Sequence, residues 1–176
     1  RILYKNLETI RNYFNEEEVK RLQGYFSKNN QSNLSKDLYE KDSINLLIPE
    51  GFIKMQDKGG GVWYKLEKTI GQHQVIQGLS IYTAPYNTDS VFTNNYFISN
   101  RDEFCQDFIQ GARDSSYMAV YSDFIPLKKE INLNGIYSME YRGLWNMKND
   151  FMGGPYIHYT LVDESRNRVI NLDGFV

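Results

Sequence analysis

The chain has 176 residues, 41% of them hydrophobic, with 14 Tyr and 10 Phe. That length suits one domain, and a chain of this size buries roughly 70% of its unfolded surface, enough for a core without metals or disulfides. A formal net charge of -2 argues against bulk attraction to nucleic acid or an anionic membrane, and a single cysteine, Cys105, excludes an intrachain disulfide.

Only His73 and His158 accompany Cys105, so no Cys/His zinc site can be assembled, and neither a metal nor a cofactor is expected. The apolar runs fall far short of a membrane span. The chain opens at Arg1 without Met or a signal peptide, which reads as a piece of a longer, processed protein.

Residues 1–40 read as a helical lead-in and polar linker. In "LETIRNYFNEEEVKRLQGYF", Leu7, Ile10, Phe14, Leu22 and Phe26 recur at three- and four-residue spacings, and Asn15 before three glutamates could cap a second helix. The run "SKNNQSNLSKD" at 27–37 is polar enough for a linker. The period then changes to two, with Ile44, Leu46 and Ile48 alternating before a turn at Pro49-Glu50-Gly51. Further strands are expected at 61–67 and 75–83, joined by a hairpin with an exposed His73.

"SVFTNNYFISNRDEFCQDFIQGARD" is the clearest helix, with Thr93 as N-cap and Gly111 as the residue after its end. Phe97, Phe104, Phe108 and Ile109 form its apolar face with Cys105 beside them, a position for a core thiol rather than a nucleophile. Arg101 and Asp107 are expected elsewhere on the cylinder.

From Ser116 onward the sequence reads β. "SYMAVYSDF" is one strand. In "GIYSMEYRGLWNMK", Tyr137, Met139, Tyr141, Trp145 and Met147 share one face, and Ser138, Glu140, Arg142, Asn146 and Lys148 the other. A 14-residue strand would run about 48 Å, so Gly143 is expected to mark a bulge. "PYIHYTLV" and "RVINLDGFV" complete the order α-β-β-β-α-β-β-β-β. This is an α+β domain with an antiparallel sheet of six to seven strands flanked by helices.

Four constellations could carry chemistry. Glu140 and Asp150, with Asp123 and Asp163, are candidate acid–base carboxylates, although spacing across separate strands cannot make them converge. Glu140 and Arg142, two apart on one strand, could pair with each other or bind an anion. "KGGGVW" and "FMGGPY" offer backbone N–H groups, but both precede strands and lack the Lys-Ser/Thr of a phosphate loop, so both read as turns. In the second, Gly153 and Gly154 are expected to supply unusual backbone angles. His158 lies within a strand with no nucleophile at a recognisable spacing.

The segment "MEYRGLWNMKNDFMGGPYIHYTLVDESRNRVINLDGFV" (139–176), with "IYTAPY", "ISNRDEF" and "DSSYM" before it, resembles a lipoprotein family of Bacteroidota catalogued as domain of unknown function 4837. The matching residues are Glu140, Arg142 to Trp145, Asp150 to Pro155, and Gly174 to Val176. The resemblance implies a secreted, lipid-anchored envelope protein that extends beyond both ends of this chain. It supplies no catalytic residue. A weaker likeness of topology, resting on "IPEGF" at 48–52, is to the Mog1/PsbP-like fold; a ferredoxin-like split βαβ arrangement is the alternative.

The reading is a non-enzymatic binding domain of the envelope, with a protein, glycan or lipid component as partner. A carboxylate-dependent hydrolase and a purely structural domain are the alternatives. Its candidate binding region is Glu140, Arg142, Trp145, Asp150, Gly153 and Gly154.

Overall fold

The computed structural model describes residues 6–176. They divide at Phe52/Ile53 into two compact units, the second being Ile53–Val176.

The first unit holds α1 (Leu7–Phe26) and α2 (Ser32–Asp42). α1 is one uninterrupted helix, so Asn15 caps nothing; ion pairs Glu17–Lys20 and Glu18–Arg21 line its surface. It buries no residue. The polar run expected to be a linker instead begins α2, whose Leu38 is buried. Polar composition misled here because a short helix needs only one apolar stripe.

Residues 43–48 form no strand. Their alternation places Ile44 and Ile48 in buried positions, but the backbone hydrogen bonds go locally. Ile48 N–H donates to the Ser35 hydroxyl at 3.0 Å, and Gln31 N–H to the Ile48 carbonyl at 2.7 Å. Period-two burial thus arises without a sheet partner.

The second unit is one eight-stranded antiparallel sheet with a long helix. The strands are β1 (Ile53–Lys58), β2 (Gly61–Ile70), β3 (His73–Pro85), β4 (Tyr117–Val120), β5 (Leu127–Leu133), β6 (Ile136–Lys148), β7 (Gly153–Asp163) and β8 (Arg168–Phe175). Their order is β1-β2-β3-β8-β7-β6-β4, with β5 also pairing β6. β1 and β5 were not anticipated: "KMQDK" and "KKEI" are too polar to announce strands, and both lie at the sheet's margin, where such residues are tolerated. The helix α3 (Asn94–Phe108) crosses from β3 to β4 past three intervening strands. A split βαβ unit spans one, so that alternative does not describe the chain.

Alternation along β6 gives the two faces expected. On the inner face Met139, Tyr141, Trp145 and Met147 join Phe97, Phe104, Cys105 and Phe108 of α3 in one buried cluster. Ring stacking locks the layers together, with Phe97 on Tyr141 and Tyr82 on Phe104, each at 4.2 Å between centroids. Thr93 caps α3 through the Tyr96 N–H, as expected. Gly111 is not the residue after the helix end, because α3 closes at Ile109; a Cβ there would press on Ser116 and Met147. Gly143 makes no bulge, since β6 and β7 pair in unbroken register across it. Its missing Cβ leaves room for the Tyr156 ring.

Candidate functional site

The predicted region divides between the two faces of β6. Glu140 and Arg142 lie on the outer face, opposite Tyr159 and Ile157 of β7. Arg142 donates from Nε to Glu140 Oε1 at 2.7 Å and from Nη2 to Oε2 at 3.2 Å. The arginine side chain is 59% exposed and the glutamate only 12%. The Arg142 hydrogen bonds hold the Glu140 carboxyl below its ordinary range, with a smaller contribution from Tyr159. The pair therefore presents a cation outward and keeps its anion at the base.

Asp150 repeats this arrangement at the end of the β6–β7 hairpin. Its Oδ1 accepts from Phe151 N–H at 2.9 Å and lies 3.8 Å from Arg113 Nε. Arg113 is 63% exposed and Asp150 only 11%. Eight residues of strand, about 27 Å at 3.4 Å each, separate Glu140 from the end of β6 at Lys148. Paired-carboxyl hydrolysis needs roughly 5–9 Å. The structure thus does not bring Glu140 and Asp150 together, and each serves its own arginine. Asp123 accepts from Tyr121 and Ser122, and Asp163 from Ser165, Arg166 and Arg168, so both organise turns.

Trp145 faces inward. Its Nε1 donates to the Val176 carbonyl at 3.1 Å, and its ring meets Phe175 edge-on at 5.8 Å. Gly153 and Gly154 lie in β7 with ordinary backbone angles; the left-handed residue of the corner is Asn149, at φ 60°. The glycines are there for close approach instead. A Cβ on Gly154 would collide with the Val176 carbonyl, and one on Gly153 would stand 2.8 Å from the Trp145 carbonyl. Trp145, Gly153 and Gly154 build the corner.

A buried polar network lies on the inner face. Arg101 donates from Nε and Nη2 to the two Asp173 oxygens at 2.9 and 3.0 Å, and its guanidinium sits 4.3 Å over the Tyr156 ring. His158 Nδ1 is 3.2 Å from Asp173, and its Nε2 is within 3.2 Å of Thr160 and Asn171. All six residues are buried. Burial pushes the Asp173 carboxyl up, but Arg101 and then His158 outweigh it and hold the group below the usual carboxylate range. Burial pushes the Cys105 thiol up to about 12, which fits an inert core cysteine.

This network corrects the expected position of Arg101. The signal was in the sequence: Arg101 stands four residues after Phe97, three before Phe104 and seven before Phe108, on the apolar stripe itself. An arginine there requires a buried anion. Asp173 supplies it, at an inward position between Asn171 and Phe175.

On the outer face, beside Arg142, apolar side chains occupy neighbouring positions on four adjacent segments. Leu144 pairs with Pro155 across the ladder, Tyr121 N–H bonds the Leu144 carbonyl at 2.8 Å, and Val176 N–H bonds the Pro155 carbonyl at 3.1 Å. All four are exposed. The next row is Leu127, Arg142 and Ile157. Sequence reading missed this row because its members come from four separated stretches, two of them outside any strand.

Among the described residues, no three or more His, Cys, Asp or Glu are grouped to hold a metal ion. No helix among them is long and apolar enough to cross a membrane.

Fold and surface together define an α+β domain built on one antiparallel sheet, with a helix on its inner face and an apolar, arginine-bearing corner on its outer one. The chain belongs to the family described as domain of unknown function DUF4837, whose model matches residues 31–176. No curated protein matches it.

Proposed function

We propose that this chain is a binding domain of the cell envelope, carried on a secreted lipid-anchored protein of Bacteroidota, with the outer face around Arg142 and Leu144 as its contact surface. The observation that supports this most is the apolar row Tyr121–Leu144–Pro155–Val176, exposed beside Arg142. A contiguous apolar surface rimmed by polar groups is the usual mark of an interaction site. Arginine and tyrosine, here Arg142 and Tyr121, are the residue types enriched among binding anchors.

Glu140 and Asp150 act as supports that fix Arg142 and Arg113, and Trp145, Gly153 and Gly154 hold the β6–β7 corner in shape. The envelope setting and lipid anchor rest on the sequence resemblance. The partner is an envelope protein, glycan or lipid component. Arg142→Gln with Leu144→Gln should abolish recovery of the domain with envelope material while the domain still unfolds in one cooperative step. Undiminished recovery would refute the placement.

A further inference from the structure

We infer that the core beneath α3 contains a site for a bound water, held between Arg101 Nη1 and the hydroxyls of Ser80 and Tyr82; this stands apart from the contact surface just proposed. Among the described residues, six buried side-chain nitrogen or oxygen atoms have no hydrogen-bond partner. Four of them belong to residues in adjoining positions: Trp63 Nε1, Ser80 Oγ, Tyr82 Oη and Arg101 Nη1. Trp63 pairs with Ser80 across β2 and β3, and Ser80 pairs with Asp173 across β3 and β8. Tyr82 follows Ser80 on the same face of β3, and Asp173 is the residue that Arg101 grips. Phe104, one turn after Arg101 on α3, stacks on the Tyr82 ring, which sets that turn of the helix beside both hydroxyls. Ser80 and Arg101 are 0% exposed and Tyr82 5%.

A polar atom left unpaired in a core destabilises the fold, and buried water commonly satisfies such atoms, at about one molecule per 27 residues with about three partners each. The nearby side-chain acceptors are engaged. Asp173 holds Arg101 through both oxygens and faces His158, and Asn171 Oδ1 faces Thr160 and His158. The chemistry of the site selects water over an ion. Arg101 Nη1 and Trp63 Nε1 can only donate, which is wrong for a metal cation. The Arg101 charge is already neutralised by Asp173, so a halide would stand in the core as an uncompensated charge. Water accepts from Arg101 and can donate to, or accept from, each hydroxyl. Burial, and then the Asp173 charge, pushes the Tyr82 hydroxyl well above its ordinary range, so it stays neutral and keeps its proton for such a bond.

Two measurements on the 176-residue chain test this. A crystal structure should show one water within about 3.2 Å of Arg101 Nη1 and of at least one of the two hydroxyls. Ser80→Ala and Tyr82→Phe should each raise the unfolding equilibrium constant in urea about fivefold, because each removes a hydrogen bond made through that water. The sign of the change is the discriminating readout. A buried hydroxyl bonded to nothing weakens the fold, so its removal would lower the unfolding constant instead. Tyr82→Phe keeps the ring stacked on Phe104, so its effect reports the hydroxyl alone. A site without water in the crystal, or either variant as stable as the parent or more so, would overturn the inference. Neither result bears on the Arg142 surface, which lies on the opposite face of the sheet.

Discussion

Replacing Asp173 with Leu should be among the most damaging single changes in this chain. The substitution leaves Arg101 buried without its anion and removes the acceptor facing His158 Nδ1. Two charge-assisted hydrogen bonds of about 1.5–3 kcal/mol each set the scale, and breaking a buried pair by removing one partner costs about 3–5 kcal/mol. Domains of this kind have about 5–15 kcal/mol in total. Urea unfolding followed by tryptophan fluorescence should therefore show Asp173→Leu with at most a short folded baseline. Arg101→Met should lose a similar amount, although methionine can keep a sulfur contact with the Tyr156 ring that the guanidinium now covers. The double variant is the informative arm. With both charges gone, neither is stranded, and its stability should exceed the sum of the single effects by about 3 kcal/mol. Single variants within about 1 kcal/mol of the parent, or a strictly additive double, would refute the buried pair as the element joining α3 to β8.

The same pair fixes a pH dependence. The folded Asp173 carboxyl lies below its ordinary value, near 3.9 in an unfolded chain, so its contribution is complete above that value and is lost as pH falls through the folded one. Parent stability should fall below about pH 4, and the Arg101→Met, Asp173→Leu double variant should show less of that fall in acid urea titrations. Gly154→Ala should destabilise by more than the ordinary surface substitution, above about 1 kcal/mol, because its Cβ meets backbone of Val176 that cannot rotate away. A normal melt for that variant would show that the backbone at Val176 can shift to make room. Cys105 should resist thiol reagents at pH 8 until the protein is unfolded, being buried with its pKa pushed up to about 12; rapid labelling of the native chain would contradict its position. Thr93→Ala should cost about 1 kcal/mol by removing the α3 cap, measurable in the same urea assay.

What the sequence made legible follows from which interactions are local. The α+β class, the faces of β6, the α3 cap and the burial of Cys105 all rest on periodicity or capping within one element. The charged edge strands β1 and β5 escaped because a strand needs only a partner with free hydrogen bonds, and nothing in "KKEI" reports that β6 lies beside it. Residues 43–48 show the converse, alternating as a strand does while bonding to Gln31 and Ser35. The candidate site divides along the same line. Glu140 and Arg142 are two apart on one strand, and their pairing could be read directly. The inward turn of Trp145 followed from its odd position among the buried residues of β6. That Gly154 is a glycine on account of the Val176 carbonyl, and that Tyr121 and Val176 extend the apolar row, depends on strand order across the sheet. The arginine on the α3 stripe was visible and was misread, because a buried guanidinium is identified only when its carboxylate is found.

The contact surface itself is tested most directly by site-specific photo-crosslinking in intact envelopes, with the reactive side chain placed at Leu144 or, as a control, at Gln72 in the β2–β3 turn. Adducts from position 144 that disappear with Arg142→Glu, and none from position 72, are the expected result. Equal labelling from both positions, or none from position 144, would contradict the assignment of the Arg142 face as the surface this domain uses.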